Sequence, residues 1–558
     1  WTLEWSRRAV LAGKLVKKPA GRNAERNREY LDELDRVALQ LVPDTNIKLP
    51  GELYLVRWGG TRKGAGSFYT RPQLTQPTVR RTLEPLTHDA EGRVRPPEVL
   101  LDLKICDPAM GSGSFLVAAL RVLTELVVES LRVHKRVHAV NGHTMVDCDR
   151  LPDADRDLAT DNFDDRLAAF VRRAVVERCL YGVDINPLAT ELGRVALWVE
   201  TLDRTLPFTF LDHKLRCGDA LVGAWIDRFR DYPLLAWWRQ SPDEKWRGVT
   251  HEGDTWASVL KDMRENIVKE QVERISGQQR TDTSEVSDDA IEKALSRVRE
   301  LYRRLRNVPA SQPDKRAALW RTQVAPDPEL ARVREACDLW CALWFWPLDQ
   351  LAEAPTPATL AAPSDAARAI ARDLRDSRRF FHWELEFPDV FNRKSAGFDA
   401  IVGNPPWETR KPSSKEFFSD LDPLYRSYGK QEALTRQREL FAADPKIERR
   451  WLDHVGLFKD AGNFVRHAAE PFGDTEDEKG KLRIVLVPRK VEESRKLHKK
   501  WAGQRARRTG YADPAHAFRH QGSADLNSYK LFAEQAHTLL RNGGQFGLIT
   551  PSSLYTDK

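Results

Sequence analysis

The sequence predicts an α/β protein organised on a parallel sheet, and three observations carry that prediction. Short β-type apolar runs alternate with longer helical ones, as in residues 103–106 followed by 115–131 and 180–183 followed by 188–202. These runs close on an acid or a glycine-rich turn before the helix begins. The composition, 41% hydrophobic and 31% charged over 558 residues, is that of a globular chain with a heavily charged surface, long enough for several cores.

Taken in order, residues 1–63 read as an N-terminal helical region, with helical periodicity over 27–41 and a short strand-like run at 53–56. Residues 64–224 carry the strand and helix alternation, and the long gap between its first two strands predicts a partly helical insertion over 137–170. A helical insertion follows at 225–387, including the charged run 261–306. Residues 388–407 form a further strand and loop, 408–523 a strongly basic insertion, and 524–558 a last helix and strand. Both insertions keep regular apolar spacing and tryptophans, which sets them apart from linkers, and there is no internal repeat or low-complexity tract. The chain opens on Trp and stops just after a strand-like run, so we expect it to be part of a longer protein.

A formal net charge of +7 suits a polyanionic partner. No apolar run approaches the roughly 20 residues that span a bilayer, and no charged-then-apolar leader opens the chain, so a cytoplasmic protein is expected. Six scattered cysteines make neither a disulfide framework nor two paired ligand sets. Cys337 and Cys341, four apart on a helical stretch, read as core residues, and no metal is expected.

Four segments carry chemistry. The first is Asp107-Pro108-Ala109-Met110-Gly111-Ser112-Gly113-Ser114-Phe115, between a strand and a helix. Its glycines allow a tight turn and close backbone approach to a ligand, and the helix N-terminus offers free N–H groups. A bare G-x-G turn can be purely structural; the acid before it suits the cationic end of a ligand, such as an α-amino group. In the second, a strand closes on Asp184, followed by Ile185, where nucleotide-binding folds accept hydrogen bonds from ribose hydroxyls; capping the next helix is the alternative use of such an acid. The third, Cys217-Gly218-Asp219-Ala220, offers Asp219 as an acceptor for an adenine amino group, weak evidence by itself.

The fourth is decisive. An apolar strand runs into Asn404-Pro405-Pro406-Trp407, where two prolines freeze the backbone and direct carbonyl oxygens. With the Asn404 side-chain oxygen and the Pro405 carbonyl accepting the two hydrogens of an amino group, its nitrogen lone pair is pushed out of conjugation toward an electrophilic methyl group, and Trp407 stacks on the ring. Downstream, nine Lys or Arg lie within 489–508, among them Lys499, Lys500, Arg505, Arg507 and Arg508. That density suits phosphate contacts or a solvated helix face, and Trp501 in its midst suits a base-stacking platform or a core anchor.

The order of these segments resembles the N6-adenine DNA methyltransferases in which the cofactor motif precedes the catalytic one. Asp107 to Phe115 matches their D-P-A-x-G-S-G-x-F motif and Asn404 to Trp407 their N-P-P-[YFW]. Upstream, Phe68, Tyr69 and Thr70 resemble the stretch laid over the methionine end of the cofactor, although Arg71 intervenes before Pro72. The resemblance covers about residues 64–558, leaves both insertions unexplained, and is closest to the large methyltransferases of BREX- and DISARM-type phage defence or to single-chain restriction-modification enzymes. It implies a Rossmann-like sheet that binds S-adenosylmethionine through Phe68, Tyr69, Thr70, Asp107, Pro108, Ala109, Gly111, Gly113, Phe115, Asp184, Ile185, Asp219, Ala220 and Asn404. It further implies a flipped adenine of double-stranded DNA as substrate, other defence or restriction subunits as partners, and a target-recognition domain beyond this chain. Two other classes stay open: methylation of another planar amino group (cytosine N4, an RNA base or a protein glutamine), and a cofactor- and DNA-binding subunit without turnover.

Overall fold

The computed structural model describes residues 2–17, 19, 24–42, 69–140, 143–150, 157–158, 163–201, 211–242, 256–277, 288–308, 312–422, 424–477, 479–506, 518–521 and 526–556. Among them are eight strands: β1 (Ile105–Asp107), β2 (Val137–Val140), β3 (His143–Val146), β4 (Asp157–Leu158), β5 (Leu180–Asp184), β6 (Leu215–Cys217), β7 (Phe398–Gly403) and β8 (Leu540–Leu548). Five form one sheet in the order β6-β5-β1-β7-β8, every neighbouring pair parallel. In chain order this is third, second, first, fourth, fifth, so the direction of winding reverses between β1 and β7. In open parallel sheets wound this way, loops leaving the carboxyl ends of the two strands at the reversal diverge, and ligands bind in the crevice between them.

The strands are apolar because both faces of the sheet are covered. Side chains alternate: Ile105, Leu180, Ala400 and Val402 enter one core with the helix Ser114–Val133 and the helix Phe163–Cys179. Cys106, Tyr181, Val183, Phe398 and Ile401 enter a second core with Trp237, Trp340, Trp344 and Trp383. The segment expected as a helical insertion therefore supplies most of the sheet's second face. β7 is locked in place from its N-terminal half by Asp399, a buried carboxylate that accepts the Lys104 N–H at 2.8 Å and pairs with Arg393 at 3.0 Å and with Arg541. Three compensating donors keep that buried charge from being a liability.

The chain divides into two units. One comprises Trp1–Ala65, Gln240–Val259 and Lys411–Lys459; the other, which holds the sheet, comprises Gly66–Arg239, Leu260–Arg410 and Asp460–Lys558. Within the first, the helices Thr2–Ala12 and Ala24–Leu41 pack through Val10, Leu34 and Ala38, and a separate aromatic core gathers Phe418, Tyr425, Phe441 and Trp451. The structure thus splits the stretch read as one basic insertion over 408–523, because apolar periodicity gives a helix a buried face without naming the neighbour it meets. Over 137–170, where sequence predicts partial helix, β2, β3 and β4 form an antiparallel sheet before the helix Phe163–Cys179 starts. The strand-like run at 53–56 lies outside the described residues.

Candidate active site

Asp107 ends β1 and is 1% exposed. Its Oδ1 accepts the Ala109 N–H at 3.0 Å, and among the described residues no Lys, Arg or His pairs with it. Burial pushes the Asp107 carboxyl up to about 8 against that hydrogen bond, and the neighbouring Asp184 adds to the rise. The turn that follows requires glycine: Gly113 has φ +85° and a Cβ there would lie 3.3 Å from the Cα of Gly193. Gly113 caps the helix Ser114–Val133 without a side-chain hydrogen bond, leaving first-turn N–H groups for a ligand. Gly111, φ +54°, has open space on its Cβ side. Pro108 and Phe115 are buried and Ala109 half-buried, so Phe115 serves the core.

Asp184 ends β5, with Oδ2 accepting the Gly111 N–H at 2.9 Å and Oδ1 the Asn186 N–H at 2.8 Å. It is Asn186 whose side chain caps the next helix, through the Leu188 N–H at 3.0 Å. Asp184 is therefore engaged with the glycine turn, and each of its oxygens keeps a lone pair for a hydroxyl donor. Burial raises its pKa, opposed by the two N–H donors. Ile185 is exposed beside it. Asp219 sits after β6, accepts the Leu221 N–H at 3.0 Å, and lies 4.0 Å from the Arg410 guanidinium. Ala220 is buried, and its carbonyl accepts the Trp383 indole N–H at 3.0 Å. Sequence reasoning passed over Arg410, which nothing nearby in the chain marks.

Asn404 leaves the end of β7, beside β1. Gly403 leaves room for the Asp107 carboxyl, since a Cβ would lie 2.8 Å from its Oδ1 and displace it. Asn404 Nδ2 donates to Thr70 Oγ1 at 3.1 Å, while Asn404 Oδ1 is buried with no hydrogen-bond partner among the described residues. A buried acceptor without a donor costs about 1–3 kcal/mol, so the position is one a ligand donor would satisfy. Pro405 is buried and Pro406 half-buried; Trp407 is 47% exposed, its indole N–H donating to the Ile549 carbonyl at 3.3 Å. Thr70 is buried and Tyr69 exposed; Phe68 lies outside the described residues.

The helix Val491–Arg505 buries Ser494, His498 and Trp501 and turns Lys499 and Lys500 to solvent. Trp501 is a core anchor: its indole N–H donates to Asp231 Oδ1 at 3.1 Å. Arg505 faces inward, paired with Asp474 and stacked 4.1 Å from the Phe472 ring centre and 4.7 Å from that of Trp501. Arg507 and Arg508 lie outside the described residues.

The turns therefore gather, among the described residues, a buried carboxyl that lacks a countercharge, a second carboxylate with spare lone pairs, and an amide oxygen that lacks a donor. That set fits a ligand with a cationic end at Asp107 and hydroxyls at Asp184. Residues 323–442, which include β7 and Asn404 to Trp407, match the family described as Eco57I restriction-modification methylase. The chain is also 25% identical over 207 residues, 30% of its own length and 15% of its relative's, to RM.MjaORFECS2P of Methanocaldococcus jannaschii, named as a type II restriction enzyme and methyltransferase. The chain thus corresponds to a small part of that relative. No solved structure matches it. Both findings support a methyltransferase. Among the described residues no helix is long and apolar enough to cross a membrane.

Proposed function

We propose that this chain is the catalytic part of an S-adenosylmethionine-dependent DNA methyltransferase acting on the exocyclic N6 of adenine. The observation that carries the reading is the buried Asn404 Oδ1, without a donor among the described residues, which follows Gly403 beside Asp107 at the point where the winding of the sheet reverses. A Rossmann-like sheet of this strand order binds its ligand in that crevice. The residues present fit the cofactor: Asp107 would take the α-amino group and Asp184 the ribose hydroxyls, with Asp219 at the adenine end. When bound, S-adenosylmethionine supplies an electrophilic methyl group.

The chain's own residues do the rest. Thr70 orients the Asn404 amide, so that Oδ1 accepts one hydrogen of the substrate amino group while the Pro405 carbonyl accepts the other. The nitrogen lone pair then turns away from the ring and toward the methyl donor. Trp407, pinned by its indole N–H to Ile549 and half-exposed, offers a face on which a flipped base stacks. Duplex DNA as substrate is supported by the restriction-modification names of both matches and by the basic character of the chain. Restriction-modification or phage defence, with other subunits or domains, is the setting we infer. The test is to incubate the full-length protein with labelled cofactor and DNA, RNA or protein, then identify the modified product. N6-methyladenine from duplex DNA is expected; N4-methylcytosine, a methylated RNA base, methylglutamine or no transfer overturns the assignment.

A further inference from the structure

Arg379 ends the helix Asp365–Arg378 in the left-handed conformation, φ 59° and ψ 51°, a position that favours glycine because a Cβ is penalised there. Its backbone N–H closes the helix by donating to the Arg375 carbonyl, which glycine would do as well. The side chain does something glycine would not. Its Nη1 donates to the Ile185 carbonyl at 2.6 Å and lies 3.2 Å from Cys217 Sγ. The Arg379 carbonyl in turn accepts the Asp219 N–H at 2.7 Å, and the pairing continues with Phe380 alongside Asp219 and the Phe381 N–H donating to Val222 at 2.8 Å. A single residue from a distant segment thus grips the loop that follows Asp184 and the turn that carries Asp219.

We propose that Arg379 is a positioning residue for the nucleoside half of the cofactor, setting the spacing between the Asp184 loop and the Asp219 turn. The inference rests on the reading of the site as one for S-adenosylmethionine. It also accounts for an arginine where the backbone favours glycine: the side chain is kept for its reach to Ile185, at the expense of the helix end.

The experiment compares the full chain with R379G and R379K. Calorimetry with S-adenosylmethionine and with S-adenosylhomocysteine, which share the nucleoside half, is paired with thermal unfolding of the ligand-free proteins. R379G is expected to bind both ligands about tenfold more weakly, because the Asp184 loop and the Asp219 turn lose their fixed spacing, while its unfolding temperature changes little, since relief of the left-handed penalty offsets the lost hydrogen bond to Ile185. R379K, retaining one charged donor, is expected to bind with intermediate affinity. Undiminished binding by R379G, a fall in its stability in step with affinity, or R379K no better than R379G overturns the role given to Arg379. Failure of the unaltered protein to bind either ligand overturns the cofactor reading itself, and this inference with it.

Discussion

The turns at the ends of β1, β5 and β7 and the basic helix Val491–Arg505 are both charged candidates in sequence, the turns the stronger of the two, and they differ in what their charged groups touch. Asp107 and Asp184 are held by backbone N–H groups, from Ala109 and from Gly111 and Asn186, so no cationic side chain among the described residues stands between their carboxyl groups and a ligand. In the helix and at its N-cap, several cations meet carboxylates of the same chain: Lys490 pairs with Glu493, Arg495 with Glu476 and Glu492, and Arg505 with Asp474. A charge held by backbone is available for chemistry, whereas a charge paired with another side chain is part of the scaffold. Counting charged residues in sequence does not separate the two.

The sharpest test of the turns is Asn404→Ala. Removing an acceptor that acts in the transition state costs about 3 kcal/mol or more, at least about a hundredfold in rate. Single-turnover transfer is expected to fall by that much, while cofactor affinity changes little; near-normal turnover would remove Asn404 from the mechanism. On the helix side, Arg505→Ala is expected to destabilise the fold by about 3 kcal/mol, because it leaves the largely buried Asp474 unpaired and strips the cation from Phe472 and Trp501. Denaturant unfolding measures that loss, and a neutral effect would return Arg505 to the surface.

Asp184→Ala should weaken S-adenosylmethionine by about 1.5–3 kcal/mol, as expected for charged acceptors lost from ribose hydroxyls. Unchanged affinity in calorimetry would make Asp184 a brace for the Gly111 turn alone. Replacing Lys499 and Lys500 by Gln is a smaller change: if both reach phosphates, the slope of log affinity against log salt flattens by about 1.8, with no dependence on DNA sequence. An unaltered slope assigns that face to solvent.

A proton count at Asp107 sharpens the comparison without altering a side chain. With its carboxyl at about 8 in the folded chain against 3.8 ordinarily, the free protein holds a proton between those values that the unfolded chain has released. Stability of the free protein therefore falls as pH rises through that window. A cationic ligand end beside Asp107 expels the proton, so binding at pH 7 is expected to release close to one. Calorimetry in two buffers of different ionisation enthalpy reads it, and Asp107→Asn should abolish the release.

The strand ends, the Asp107 to Gly113 turn, Asp184 and the Asn404 to Trp407 segment were all legible in the sequence. Their geometry is set by residues within a few positions: glycines that permit left-handed backbone, prolines that freeze it, and apolar runs that end at the same edge of a parallel sheet. Only the tertiary structure decided what depends on distant partners. Thr70 and Asn404 are 334 positions apart, and Arg379 reaches Ile185 from 194 positions away. The sheet's second face is built largely by the segment read as an insertion, and Arg505 is turned into that packing. Periodicity tells a helix which face to bury, and local turns tell a carboxylate which way to point. Which remote side chain meets them is settled by the packing of the whole chain, and no local pattern records it.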